Sequence, residues 1–342
     1  MDKRVILAVA GSGKSSLIIS SLDVNKKTLL ITYTVENYLT LRRKVAGRFG
    51  YVPENVVIYT YFQFLYQFCV RPLLGFGLGI KGIDWTEIPR PKTAKSSVAH
   101  YFTKGRRLYH NRASKILIET DSMSEVCQRI EKYFDVICID EVQDFAANDF
   151  NFMLSLCQAK VEVLLVGDFY QHTFDTSRDG STRKNLHKDY ELYQKEFEKV
   201  GLKIDLDTLV KSYRCSPQIC SFVSDNLGIS IESHHANGAK IQFVRDGDAA
   251  TKLFDDANRI KLFYESHAKY DCASNNWGKS KGRDDYQDVC VVLNRNTLKL
   301  FYAGKLDELN PTSKNKLYVA LTRARGVAYL VPHTFYDHLK NA

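Results

Sequence analysis

The residues best suited to chemistry form a glycine-rich loop near the start of the chain. Residues 8–16 read AVAGSGKSS, directly after a strand-like apolar run and before the apolar LIISSL. A strand, a glycine-rich turn and a helix N-terminus in this order present backbone N–H groups to phosphate oxygens. In this arrangement Lys14 reaches the β- and γ-phosphates, and the Ser15 hydroxyl is a ligand for Mg²⁺. The predicted phosphate-binding residues are Gly11, Ser12, Gly13, Lys14, Ser15 and Ser16.

A second group of reactive residues ends an apolar run. Residues 136–144 read VICIDEVQD, which predicts a buried strand followed by two carboxylates. Asp140 can hold Mg²⁺ directly or through water, and Glu141 can orient and deprotonate an attacking water. Alone, the loop could be a turn that caps a helix, and the carboxylates could be a solvated turn. Their occurrence together favours nucleoside triphosphate hydrolysis.

Short β-rich runs recur along the chain and predict the elements that position these groups. Helix-like segments separate most of the runs, which is typical of parallel sheets with crossover helices. We therefore predict an α/β fold. The runs are VILAVA at 5–10, TLLITY at 28–33, NVVIYTY at 55–61, VICID at 136–140, VEVLLVGD at 161–168, IQFV at 241–244, IKLFY at 260–264, VCVVL at 289–293 and VAYLV at 327–331.

The length of the chain predicts two domains. A chain of 342 residues suits two domains of about 100–200 residues each. Because residues 175–205 are too polar to form core, we place the boundary there, with a first lobe at 1–204 and a second at 205–342. A small insertion is expected at about 73–130, where a glycine- and proline-containing stretch leads into the basic, helix-prone YFTKGRRLYHNRASKILIE.

Composition narrows the class of protein. The hydrophobic content of 44% and charged content of 25% are those of a folded globular chain. The net charge of +9 favours a polyanionic partner such as nucleic acid. Eight scattered cysteines without a CxxC pair argue against a disulfide framework or a zinc site. With no signal peptide and no apolar run of about 18–20 residues, we expect a cytoplasmic protein without a membrane partner.

Further motifs follow the carboxylate motif DEVQD in order along the chain. They read GDFYQ at 167–171, SYRCS at 212–216, KSKGRDDYQDVCVV at 279–292 and YVALTRAR at 318–325. Together with the loop, over residues 5–331, this series resembles the motifs of UvrD/Rep-like superfamily 1 DNA helicases. The resemblance implies two RecA-like P-loop NTPase lobes, with ATP and Mg²⁺ as cofactors clamped between them.

The resemblance also assigns roles to single residues. It implies that Gln171 senses the γ-phosphate and that Arg214 and Arg323 neutralise it, joining Glu141 as catalytic residues. It places Tyr213 against the adenine and Asp284, where the family usually has Glu, against the ribose. Asp140 joins Ser15 at the metal. No glutamine precedes the loop to read the adenine, so base selectivity is not predicted.

Nucleic-acid contacts are predicted on the first lobe. TYTVENYLTLRRKV at 32–45 and TYFQF at 60–64 are similar to the family segments that grip the strand. Basic and aromatic residues of the insertion suit a strand-binding surface, with a solvated helix face as the alternative. Phe174 is the base-stacking candidate after Gln171. The predicted contact residues are Thr32, Thr34, Thr60, Phe62, Arg106, Arg107, Tyr109 and Phe174.

The function that the resemblance implies is an ATP-dependent motor. Single-stranded DNA would stimulate its ATPase, and it would translocate on that strand 3′ to 5′, with unwinding of duplex DNA as an extension of this activity and duplex junctions or RNA as further partners. The alternative is a nucleic-acid-gated ATPase sensor that acts with a protein effector in phage defence or a mobile element, without processive unwinding. A small-molecule kinase would leave the YR and TRAR motifs unexplained.

Overall fold

A computed structural model describes residues 1–86, 93–94, 96–173, 179 and 181–340. The chain divides into two compact units. Unit 1 comprises Met1–Ile6, Lys14–Gly167 and Asp175–Asp205. Unit 2 comprises Leu7–Gly13, Asp168–Phe174 and Leu206–Ala342. Two short segments of the first 174 residues therefore belong to the second unit, and both contain predicted site residues.

Unit 1 is built on a six-stranded sheet with the strand order β3-β2-β6-β7-β1-β8. The pairs β2–β3, β2–β6, β6–β7 and β1–β8 are parallel. Because β2, β3, β6 and β7 run in one direction, their carboxyl ends share one edge of the sheet, where Asp140 ends β6. The strands are β1 Lys3–Leu7, β2 Thr28–Thr32, β3 Val56–Thr60, β6 Val136–Asp140, β7 Glu162–Gly167 and β8 Lys203–Asp205.

The helices of unit 1 cover this sheet, and local capping sets several of their ends. Thr34 caps α2 by accepting from the N–H of Asn37, and Gly50 ends it in the left-handed conformation at φ 81°. One helical segment runs from α3 to α4 and has a π-helical middle at Phe64–Gly75. The α-helices are α1 Lys14–Ser21, α2 Val35–Phe49, α3 Tyr61–Gln63, α4 Phe76–Leu78, α5 Ala113–Glu119, α6 Met123–Tyr133, α7 Ala147–Leu156 and α8 Tyr190–Glu198.

The predicted insertion lies between β3 and β6 and is only partly helical. It contains a two-stranded parallel ribbon of β4 Ile83–Asp84 and β5 Leu108–Tyr109. The prediction of a helical 101–119 segment was correct only for α5, since the residues before it form a turn, β5 and a 3₁₀ helix. Arg112 and Lys115 are buried, at 2.8 and 3.1 Å from the carboxylate of Asp179, and so do not form an exposed basic face.

Unit 2 is built on a five-stranded parallel sheet with the order β11-β15-β14-β12-β13. A separate parallel pair, β9 and β10, carries the SYRCS motif at the end of β9. The strands are β9 Lys211–Ser212, β10 Glu232–Ser233, β11 Ile241–Phe243, β12 Ile260–Phe263, β13 Ser274–Asn276, β14 Val289–Leu293 and β15 Ala328–Pro332. Trp277 and Tyr318 are fully buried in its core.

The α-helices of unit 2 begin at side-chain caps. Ser216 and Asn310 accept from backbone N–H groups at the start of α9 and α12, and both helices open with proline. The helices are α9 Pro217–Leu227, α10 Gly247–Asp255, α11 Arg295–Tyr302 and α12 Pro311–Leu321. The 3₁₀ helices among the described residues of both units are Val98–His100, His110–Arg112, Val142–Asp144, Phe169–Gln171, His267–Lys269, Gly278–Ser280, Leu306–Glu308, His333–Phe335 and Asp337–Leu339.

Among the described residues, no helix combines the length and the apolar character needed to cross a membrane.

Candidate functional site

The glycine-rich loop has the strand, turn and helix context that its sequence predicts. β1 ends at Leu7 and α1 begins at Lys14. Gly11 and Gly13 have φ values of 70° and 90°, a left-handed conformation in which a side chain is strained. The Ser12 hydroxyl donates to the carbonyl of Val9 at 2.8 Å and closes the turn. We call residues 8–16 the phosphate loop.

Gly11 of the phosphate loop contacts the SYRCS motif, and both belong to unit 2. The backbone N–H of Tyr213 donates to the carbonyl of Gly11 at 2.9 Å. A Cβ added to Gly11 would lie 2.7 Å from both the Arg214 Cβ and the Ser212 Oγ. Glycine is therefore required at position 11 by this close approach as well as by its backbone conformation. The contact brings a predicted γ-phosphate arginine to the loop that is predicted to hold the phosphates.

The two predicted catalytic carboxylates lie at the carboxyl edge of the unit 1 sheet. Asp140 is buried and accepts from the backbone N–H of Glu141 at 3.0 Å. Burial, and next the nearby Glu141 carboxylate, raise the pKa of Asp140, while the charge of Lys14 opposes the shift. Glu141 has φ 57°, which is unusual for a residue with a side chain and is a form of strain found at functional sites.

Gln143 holds Glu141 from the opposite side of the turn. Its amide donates to the Glu141 carboxylate. A Cβ added to Gly167, at the end of β7, would lie 2.4 Å from the Gln143 Oε1 and 2.6 Å from the Val142 Cγ2. Because Gly167 has no side chain, the DEVQD turn can pack directly against the first residue of the GDFYQ motif.

Two predicted arginines of unit 2 share one carboxylate. The side chains of Arg214 and Arg323 are at least nine-tenths buried, and both lie against the carboxylate of Asp284, whose side chain is 61% exposed. Burial, and next the charge of Arg214, lower the pKa of Arg323 to about 10, so it stays protonated near neutral pH. Because two buried cations face one solvated anion, a further anion would be stabilised there.

Arg214 also keeps an unused donor. Its Nη1 donates to the carbonyl of Thr322 at 3.1 Å. Its Nε is buried and has no hydrogen-bond partner among the described residues. A buried donor of this kind costs free energy unless an acceptor such as a phosphate oxygen reaches it. Asp284 was predicted to contact the ribose. Its contact with the two arginines was not predicted.

The predicted adenine-binding residue is already stacked on one face. The ring of Tyr213 lies 3.7 Å from that of His234, centroid to centroid, with an interplanar angle of 13°. Tyr213 is nevertheless 60% exposed. Stacking fixes the plane of the ring and leaves a large aromatic surface in solvent, which suits a base-stacking role. His234 was not among the predicted residues.

A chain of hydrogen bonds in unit 2 connects three of the motifs. The Tyr318 hydroxyl accepts from the N–H of Ala10 at 2.8 Å and donates to the Asp168 carboxylate at 3.0 Å. The same carboxylate oxygen accepts from the side-chain amide of Gln171 at 3.0 Å. Tyr318 therefore ties the phosphate loop to the predicted γ-phosphate sensor. Sequence reasoning missed it, although it opens the YVALTRAR motif.

Two of the three predicted strand-gripping threonines cap helices. The third, Thr32, is fully buried at the end of β2, and its hydroxyl has no hydrogen-bond partner among the described residues. Thr34 caps α2, and Thr60 caps α3 through a reciprocal pair of hydrogen bonds with Gln63. Phe62 is half-buried and packs on Tyr33 and Tyr61. Nucleic-acid contacts by these residues stay predictions.

The predicted basic surface of the insertion is divided between exposed and buried residues. Arg106 and Arg107 are exposed, whereas Tyr109 is buried at the end of β5. A buried Tyr109 can support the surface from beneath but does not present its ring to solvent. Phe174, the predicted base-stacking residue, lies outside the described residues.

Comparison with known proteins identifies the fold. No protein-family model matches the chain, and no curated protein sequence matches it. Among solved structures, it is similar to arterivirus nonstructural protein 10, a helicase in complex with DNA, with a TM-score of 0.51 and 13% sequence identity over 96% of this chain. The chain has a helicase-type fold. It spans 60% of that viral chain.

Taken by their chemistry, the predicted site residues of each unit include groups that suit Mg²⁺ or phosphate. Proteins hold Mg²⁺ with one or two oxygen ligands and leave the remaining positions to phosphates and water, which matches the buried Asp140 carboxylate and the Ser15 hydroxyl. Among the described residues, no cluster of three or more His, Cys, Asp or Glu side chains forms a separate metal site. The left-handed glycines and the unused Nε of Arg214 suit phosphate oxygens.

Replacing Tyr318 with phenylalanine tests the hydrogen-bond chain. Loss of the hydroxyl removes the bond that the Ala10 N–H donates to it and the bond that it donates to Asp168, so we expect the free energy of unfolding to fall by about 1–3 kcal/mol. If Tyr318 positions Gln171 for the predicted ATP hydrolysis, the kcat of that reaction should fall while its KM for ATP changes little. Tyr302→Phe, at a 68% exposed residue, is the matched control. Unchanged denaturant unfolding and unchanged kcat would contradict the positioning role.

Proposed function

We propose that the chain is an ATP-hydrolysing nucleic-acid motor of the UvrD/Rep-like superfamily 1 type. One observation carries the proposal, namely the contact of the phosphate loop with the SYRCS motif at Gly11 and Tyr213. A phosphate loop alone serves many kinases and ATPases. An arginine held against that loop by a second motif is what γ-phosphoryl transfer to water requires.

In the proposed hydrolysis, each predicted residue has a separate role. Lys14 and the loop N–H groups bind the phosphates, and Glu141 orients the attacking water and accepts its proton. Arg214 and Arg323 neutralise the charge that develops on the γ-phosphoryl oxygens, while Gln171 senses that group. Ser15 and Asp140 would hold Mg²⁺, and the chemistry that the ion would supply is Lewis-acid withdrawal of charge from the phosphates.

The motor part of the proposal is translocation on single-stranded DNA. Hydrolysis that depends on arginines remote in sequence from the catalytic carboxylates can be coupled to conformational change. The net charge of +9 and the DNA-bound state of the similar viral helicase support a nucleic-acid partner. The 3′ to 5′ direction belongs to the proposal through the resemblance of the motifs.

ATPase measurements with a panel of single-stranded DNA, duplex DNA and RNA test the proposal. We expect single strands to raise the rate and the stimulation to fall steeply with salt, because phosphate contacts release counterions. Lys14→Ala is the control that measures contaminating ATPase. A rate that no strand changes would remove the motor. Stimulated ATPase without strand displacement would favour the sensor that acts with a protein effector.

A further inference from the structure

An exposed tryptophan stands on the insertion of unit 1. Trp85 is 55% exposed, although tryptophan is the largest apolar side chain. Its ring stacks on His110, with centroids 6.0 Å apart and an interplanar angle of 16°. Its second aromatic neighbour is Phe62, edge to face at 4.7 Å. Two rings therefore hold the indole in place while more than half of the residue faces solvent.

The strand register explains this arrangement. β4 and β5 pair in parallel, with Ile83 opposite Leu108 and Asp84 opposite Tyr109. Trp85 and His110 are the next pair in the same register and therefore stack. Asp84 then accepts from the backbone N–H of Thr86 at 3.0 Å, which turns the chain directly after the tryptophan.

The other end of the same ribbon is basic. The N–H of Lys81 donates to the carbonyl of Arg106 at 3.0 Å, so these two residues lie side by side. Lys81, Lys104 and Arg106 are exposed. Arg107 is held within the ribbon, because it donates to the Ile83 carbonyl at 2.8 Å and lies 4.0 Å from the Asp84 carboxylate.

The charges of the ribbon favour an anionic ligand over a protein surface. Asp84 is the acidic residue of its described strands, and its side chain is only 15% exposed. Among the described residues of the ribbon and its turn, the exposed charges are therefore positive. Even if fully extended at about 3.3 Å per residue, the four positions from Arg106 to His110 would separate the two backbone sites by no more than about 13 Å. A flexible polyanion with flat apolar groups suits this ribbon, because its charges match the basic end and its flat groups match the aromatic end.

We propose that Trp85, supported by His110 and Phe62, stacks on an unpaired base of single-stranded nucleic acid whose phosphates lie along Lys81, Lys104 and Arg106. The site rests on the proposed function, because it adds a strand contact to the proposed motor. Phe62 connects it to the carboxyl edge of the sheet, since the TYFQF segment follows β3 directly. Stacking is tolerant of base identity, so the site selects single strands rather than a sequence.

Fluorescence and affinity measurements with oligothymidylate test the proposal. The chain has two tryptophans, and Trp277 is fully buried, so acrylamide should quench mainly Trp85. We expect the oligonucleotide to quench this emission and to shield it from acrylamide. Trp85→Ala should weaken binding about 5- to 150-fold, as loss of one stacked base does, while Trp85→Phe keeps most of the affinity.

Matched variants separate stacking from charge. Tyr51→Ala removes another exposed aromatic residue of unit 1, 65% exposed and before β3 rather than after it, and should leave binding unchanged. Arg106→Gln should lower the slope of log affinity against log salt concentration by about 1, the value for one phosphate contact. The fluorescence change on binding should remain. On an abasic strand, the parent and Trp85→Ala should bind equally, because no base remains to stack.

The outcomes distinguish this site from the motor itself. If the parent chain binds oligothymidylate but Trp85→Ala binds equally well and the emission does not change, the stacking site is wrong and the motor proposal stands. A parent chain that binds no strand overturns both proposals. Binding lost equally in the tryptophan and Tyr51 variants would indicate a loss of folding, which the melting temperature checks.

Discussion

An Arg323→Ala variant is expected to hydrolyse ATP about 10³-fold or more slowly than the parent chain while still binding ATP. Arg323 is buried beside Arg214, and a pKa of about 10 keeps it charged at neutral pH. Removing one of two such cations leaves the developing charge of the transition state less neutralised. Single-turnover kinetics measure the rate of ATP hydrolysis. A parallel titration with a fluorescent ATP analogue measures nucleotide binding.

Two further variants separate chemistry from folding. Arg323 also donates to the carbonyls of Val319 and Arg283, at 3.3 and 3.1 Å, so its alanine variant loses packing as well as charge. Arg323→Lys keeps the charge and much of the volume, yet should still hydrolyse slowly because it lacks the guanidinium fork. Arg325→Ala, at an exposed neighbour, is the matched control. A folded Arg323→Lys variant with parental turnover would refute the assigned role.

The second large effect is expected for Glu141→Gln. Glutamine keeps the length of the side chain and can still pair with Gln143, so the turn should fold. It cannot accept a proton from water, and loss of a general base typically costs about 10²–10⁴-fold in rate. The rate of ATP turnover should fall by this factor while bound ATP accumulates. A filter-binding assay with labelled ATP detects the bound nucleotide.

The control for this variant is Glu54→Gln, an exposed glutamate of unit 1 in the turn before β3. It should have parental turnover and parental stability. Turnover of Glu141→Gln within a few-fold of the parent chain would show that another group activates the water. In that case Asp140 would be the next residue to replace.

Much of the fold could be predicted from local sequence. The α/β class is confirmed, and the runs at 136–140 and 289–293 are strands with the predicted bounds. Such strands are buried on both faces, so apolar residues follow one another without interruption and mark them clearly. β8 and β13 were missed, because short, polar strands at the sheet edges carry no such run.

The insertion shows where local pattern fails. Residues 101–119 have the composition of a basic helix, yet only Ala113–Glu119 is an α-helix. Arg112 and Lys115 turn inward because Asp179, more than sixty residues later in the chain, supplies a buried counter-charge. Pairing with a distant residue outweighs the preference of a basic side chain for water, and no local window contains that information.

The sequence by itself determined the chemical groups and their order: a glycine-rich loop, a pair of carboxylates after a buried strand, and two arginines in later motifs. These features depend on residue type and short spacing, which backbone sterics and strand burial control locally. Only the tertiary structure decided which of those groups meet. Tyr213 reaches Gly11, Tyr318 bridges Ala10 and Asp168, and Trp85 stands exposed on His110, because each contact joins residues far apart in the chain.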